Sequence, residues 1–101
     1  MAVLVDELRE YPHVRFSVKH WCHMVSDASF EELHAFAAAI GIPRERFQRD
    51  HYDLHPEVRA VAVARGAHEV PISELAHRMV GPRGERNRRR HAERAARAPR
   101  T

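Results

Sequence analysis

The side chains able to do chemistry in this sequence are concentrated between Trp21 and His55. Cys22, His23, Asp27, Glu32, His34, Gln48, His51, Tyr52 and Asp53 fall there, among apolar runs that read as scaffold. Imidazole nitrogens and carboxylate oxygens at this density suit a divalent cation such as zinc or manganese. Such a cation polarises a phosphoryl oxygen and lowers the pKa of an attacking water. His51, Asp53 and His55 alternate, and alternate side chains of an extended segment share a face. His23, His51 and Asp53 are the candidate metal ligands. Asp6, His34 and Arg59 are the candidate catalytic groups. Asp6 would stand at the C-terminal end of a first strand, where open α/β sheets place ligands. His34 lies at the border of a helix's apolar stripe, and Arg59 lies in a first helical turn whose N–H groups already favour an anion. Each also has a plainer reading: a strand-end cap, a boundary residue and a solvated guanidinium.

Two spacings temper the metal reading. If residues 20–26 form a regular strand, the adjacent Cys22 and His23 point to opposite faces and do not serve one ion. Pro56 suits the first turn of a helix, so His55 reads equally well as the residue flanking that helix. Asp53 near the same helix start is favoured by the macrodipole without any function.

The elements that must position these groups emerge from periodicity. Val3, Leu4 and Val5 suit a strand buried on both faces. Residues 7–13 read as a connection closed by Pro12. Residues 14–19 alternate apolar with polar, the period of a half-buried strand, and residues 20–26 suit a second. Ser29 and Glu32 form a capping box opening a helix over 29–40, with Leu33, Phe36, Ala37 and Ile40 as its buried stripe and Gly41 ending it. A second helix covers 58–65, with Val58, Val61 and Ala62 toward the core. A short strand at 67–70 and a third helix at about 73–80 complete the pattern, leaving His68 and His77 in solvent. The expected architecture is a single α/β domain over residues 1–81, with a sheet of three or four strands and three helices.

Charge separates this body from the C-terminal segment. Residues 82–101 hold eight arginines against Glu85 and Glu93, a net +6. The whole chain carries +3, so the remainder carries −3. The high isoelectric point therefore belongs to an arginine-rich tail expected to be disordered or frayed unless it meets an anionic surface. Arg88, Arg89 and Arg90 are its candidate contacts to nucleic acid. One cysteine excludes an intrachain disulfide and fits a reducing compartment. No apolar run approaches the roughly 20 residues of a membrane span, and no signal segment is evident, so a cytoplasmic location is expected.

Taken in order, several short motifs carry a resemblance. Val5-Asp6, Trp21-Cys22-His23-Met24, Glu32-Leu33-His34-Ala35, Ile40-Gly41, Phe47-Gln48, His51-Tyr52-Asp53 and Arg59-Ala60 together resemble the DUF4031 family over about residues 2–80. The resemblance implies a small domain of bacterial or phage type and brings no activity with it.

Three functions fit the residues. The first is a metal-dependent hydrolase acting on a phosphate ester or nucleic acid, and the second a non-catalytic module binding nucleic acid or protein through the tail and exposed aromatics. In the third, His34, His51 and Asp53 form a metal-free polar network that fixes a loop to the first helix.

Overall fold

The computed structural model describes residues 2–97. Strand β3 (His20–Ser26) is the spine of a five-stranded mixed sheet. Met24 pairs with Val5 of β1 (Val3–Val5) and with Tyr52 of β4 (Tyr52–Leu54), both antiparallel. The outer end of β3 pairs with β2 (Arg9–Glu10), and β5 (His68–Glu69) joins β1 in parallel. Four helices accompany the sheet: α1 (Phe30–Ala39), α2 (Pro56–Ala64), α3 (Ile72–Arg78) and α4 (Pro82–Arg97). The α/β class holds; among the described residues the sheet has five strands where three or four were expected, and there are four α-helices where three were expected.

Strand alternation divides the core. Val3, Val5, Cys22, Met24, Tyr52 and Leu54 are buried on one face with Leu33 and Ala37 of α1 and Ala62 of α2. Leu4 and Val25 are buried on the other with Leu75 of α3 and Met79. Fully buried Leu4 and Leu33 each contribute roughly 1.5–3 kcal/mol relative to exposure. By the same alternation Asp6, His23 and Asp53 belong to the second face. His23 and Asp53 stand directly opposite each other in the β3–β4 register, and there the face lines a cavity.

Helix α1 begins as the sequence predicts, with the Ser29 hydroxyl accepting the Glu32 N–H at 3.0 Å. The reciprocal half of the capping box is absent. Glu32 instead accepts the Ser26 hydroxyl at 2.5 Å, while the Ser26 oxygen takes the N–H groups of Ala28 and Ser29. Gly41, at φ +83°, ends the helix as expected.

Other expectations are corrected. Residues 14–19 form no strand; they are a looped segment bordering the cavity, pinned by the Lys19 ammonium on the Val14 carbonyl. Val14, Phe16, Ser17 and Val18 border the cavity, so consecutive residues share that side and the alternation marks no ladder face. Val61 of α2 is 44% exposed and lies outside the core. The reading of residues 82–101 as a frayed tail fails over the described part, which is α4. What that reading lacked was packing without an apolar stripe. Gly84 presses against the Met79 carbonyl so closely that a Cβ there would sit 1.7 Å from the oxygen. Asn87 donates to the Ala76 carbonyl, and Arg88 to those of His77 and Met79. These donors satisfy carbonyls left open where α3 ends. Residues 98–101 lie outside the described residues.

Candidate functional site

One strand and one tight turn bring the His/Asp cluster together. His23 comes from the middle of β3, and His51 and Asp53 flank Tyr52 at the start of β4. The chain reverses just before them, with Gln48 N–H bonding the His51 carbonyl at 2.9 Å. Arg49 takes φ +58° to make that turn, a left-handed conformation costing about 1–3 kcal/mol in a non-glycine residue. One ligand atom from each of His23, His51 and Asp53 lies within 4.8 Å of the others. The two imidazole rings meet edge-on at 5.3 Å between centroids.

Each histidine is oriented from behind by a buried carboxylate. Asp6, at the end of β1, accepts the His23 backbone N–H at 2.6 Å and lies 2.8 Å from His23 Nδ1. Asp6 thereby holds His23 by both its backbone and its Nδ1. Asp50 stands behind the His51 ring, with its Oδ1 2.9 Å from Nδ1, while His51 Nε2 lies 3.3 Å from Asp53 Oδ1. Asp50 is in turn clamped by Arg83 of α4, whose Nε and Nη2 donate to its two oxygens at 2.7 Å each. A histidine backed by a carboxylate on one nitrogen and free on the other is the usual arrangement of a metal-ligating imidazole.

The protonation pattern reflects this geometry. The hydrogen bond to Asp53 raises the His51 pKa, burial opposes the rise, and Asp50 adds to it. Burial pushes the Asp53 carboxyl up, but its bond to His51 and the positive charge of His51 and His23 hold it below its ordinary value. Ligand separations of roughly 3.3 Å follow from metal–ligand distances of about 2.0–2.1 Å in a tetrahedral site. The His51 Nε2–Asp53 Oδ1 distance of 3.3 Å is already of that size, and the three ligand atoms lie within 4.8 Å of one another.

The cluster borders a cavity of about 640 Å³ whose walls include Val14, Phe16, Val18 and Trp21, with Arg46 and Gln48 as polar members. Cys22 also borders it, but burial pushes its thiol up to about 12, which leaves it a protonated core group rather than a nucleophile.

The other candidates fall elsewhere. His34 does not join the cluster. Its Nδ1 lies 2.8 Å from the Tyr52 hydroxyl and its ring packs on Phe47 at 4.5 Å, on the opposite face of β4. Tyr52 is buried on that face because it sits one residue from each of His51 and Asp53, and successive strand side chains alternate. Arg59 does not border the cavity; its Nε donates to the Asp6 carbonyl at 2.9 Å and its Nη1 pairs with Glu69. It braces Asp6 and takes no place facing a ligand. Asp6 acts through His23. His55 occupies the N-cap position of α2 and packs edge-on against Trp21 at 6.1 Å. Asp27 is away from the cluster, bonded to the Ala2 N–H and to Arg78. Sequence reasoning passed over Asp50, Arg83 and Arg46. Asp50 could have been noticed as an acid beside His51; the Arg83 contact spans 33 residues and has no local signal.

The fold and site define a small α/β protein with a His/His/Asp cluster backed by two buried carboxylates. The chain belongs to the DUF4031 family, a protein family of unknown function, whose model matches residues 3–81. No curated protein and no solved structure matches it significantly. No helix among the described residues is long and apolar enough to cross a membrane.

Proposed function

We propose that the protein is a metal-dependent hydrolase acting on a phosphate ester. The observation carrying this reading is the convergence of His23, His51 and Asp53 beside a cavity, with Asp6 and Asp50 fixing both imidazoles. Three protein ligands leave a coordination position for water or substrate, the pattern of catalytic rather than structural zinc sites. A cation held there supplies Lewis acidity and an activated water. His23 and His51 bind through Nε2, Asp53 adds negative charge, and Arg46 offers a positive charge to the substrate's phosphate.

The test is elemental analysis of protein purified without a polyhistidine tag, beside His51→Ala, followed by assay on simple phosphate mono- and diesters. Near-stoichiometric zinc or manganese that disappears in the variant, together with metal-dependent turnover, is the expected result. A metal-free wild type that regains neither ion on addition sinks the reading and favours a purely structural network.

A second reading, a nucleic-acid binding module, is favoured by α4. Arg86, Arg89, Arg90, Arg94 and Arg97 are exposed along it, whereas Arg88 is turned back onto α3. Its exposed surface offers alanine but no bulky apolar residue, which suits a phosphate backbone better than a lipid interface. Duplex binding that weakens steeply with salt, and whose salt slope falls by about 1 for each of Arg89 and Arg90 replaced by alanine, supports it. Salt-insensitive binding speaks against it.

A further inference from the structure

We propose that the cavity recognises a phosphate ester carrying a flat aromatic ring, a nucleoside monophosphate or the terminal nucleotide of a longer chain. The inference rests on the reading of the His/His/Asp cluster as the phosphate-side metal site and names the rest of the ligand.

Two aromatic rings stand beside that cluster. Phe16 is 66% exposed at the rim of the cavity, an unusual place for the side chain of greatest exposure among the large apolar residues. Trp21 is half-buried in the same wall, 5.9 Å from Phe16 and tilted from it by 59°, so the two rings do not stack on each other. The Trp21 indole N–H is already satisfied by the Val18 carbonyl at 3.1 Å. That bond fixes the ring, and its neighbours Phe16 and His55 meet it tilted and edge-on, so neither is stacked parallel on it. Arg46 also borders the cavity, and its guanidinium has no ion-pair or hydrogen-bond partner among the described residues.

The wall thus pairs an uncommitted cation with a stacking platform. A volume of about 640 Å³ is in the range of small-ligand sites and accommodates a nucleotide. Stacking on aromatic side chains tolerates any base because every base has a π-face. Arg46 and the metal site take the phosphate, and Phe16 and Trp21 take the ring.

Trp21 is the sole tryptophan, so its fluorescence reports occupancy directly. The probes are the non-hydrolysable phosphonate analogues of adenosine monophosphate and of ribose monophosphate, titrated into zinc-treated full-length protein whose metal content is measured on the same sample. The adenosine analogue is expected to bind at least about tenfold tighter, the scale of one base stacked on an aromatic side chain. Phe16→Ala should reduce that preference, leaving what Trp21 supplies, and Arg46→Ala should weaken both probes by a similar factor. Equal affinities for the two probes, or a preference unchanged in Phe16→Ala, overturns the ring site. Metal present with no ring preference overturns the ring site alone and leaves the hydrolase reading standing. Ring preference in protein that takes up no metal upholds the ring site and overturns the hydrolase reading.

Discussion

His34 and His51 sit on either side of one strand and lead opposite lives. His34 faces the core side of β4, closed in by Phe47 and Tyr52, with a phenol as its polar partner. Burial and the charge of Arg44 lower its pKa, which favours the neutral ring. His51 faces the cavity side between two carboxylates, and its pKa is raised. Residue type is shared; what differs is the company on Nδ1 and what lies beyond Nε2. A carboxylate behind the ring with a cavity ahead makes a candidate ligand, whereas a phenol and a packed ring make a structural histidine.

The largest expected break in this comparison comes from the ligands. Asp53→Ala or His23→Ala should reduce divalent-metal affinity by at least about 100-fold and abolish phosphoesterase turnover, read by elemental analysis and assay. His34→Ala should leave metal content unchanged and cost about 1–3 kcal/mol by denaturant unfolding, the penalty of orphaning the buried Tyr52 hydroxyl. If His34→Ala removes the metal, the division between the two faces is wrong. A smaller effect is expected from the supports. Asp50→Asn or Arg83→Ala should weaken metal binding about 10–100-fold with the three ligands intact, the usual size for groups that orient a ligating histidine. Unchanged affinity would mean His51 is positioned by its backbone alone.

The smallest effect is in pH dependence, and the two histidines should show it with opposite sign in metal-free protein. The lowered folded pKa of His34 gives a stability contribution present above the ordinary value of 6.5 and lost as pH falls through the lower, folded value. The raised folded pKa of His51 gives a contribution present below 6.5 and lost as pH rises through the higher, folded value. Unfolding free energies of His34→Gln and His51→Gln measured from acid to mildly basic pH should therefore diverge from wild type on opposite limbs. Matching profiles for the two variants would erase the distinction.

The proximity of His51 and Asp53 was legible in the sequence because period-two spacing sets them on one side of a strand, and the β3–β4 register then brings His23 opposite Asp53. Helix α1 was legible from Ser29 and its apolar stripe. That His34 lies apart from the cluster was not legible, because its helix position does not say which sheet face it meets; its contacts with Tyr52 and Phe47 decide that. The segment 14–19 misled because alternation arises wherever a chain runs along a boundary, with or without a ladder. Helix α4 was hidden because its attachment consists of a bare glycine, the Asn87 amide and Arg88 guanidinium bonded to carbonyls, and the Arg83 guanidinium on a carboxylate, none of which leaves an apolar period. Asp50 carried a local signal as the acid beside His51, but its clamp, Arg83, lies 33 residues away and carried none.

The contact at Gly84 has a mechanical side. With no room for even a methyl group against the Met79 carbonyl, α4 is held in one register and cannot slide along its neighbour. At about 1.5 Å of rise per residue, Arg97 stands roughly 21 Å along the axis from Arg83. The arginine row is thus a ruler with its zero mark at the clamp on Asp50. Every later arginine of the helix is thereby set at a fixed distance from the Asp50 carboxylate, and a substitution at Gly84 that pushed the helix outward would move the whole row together.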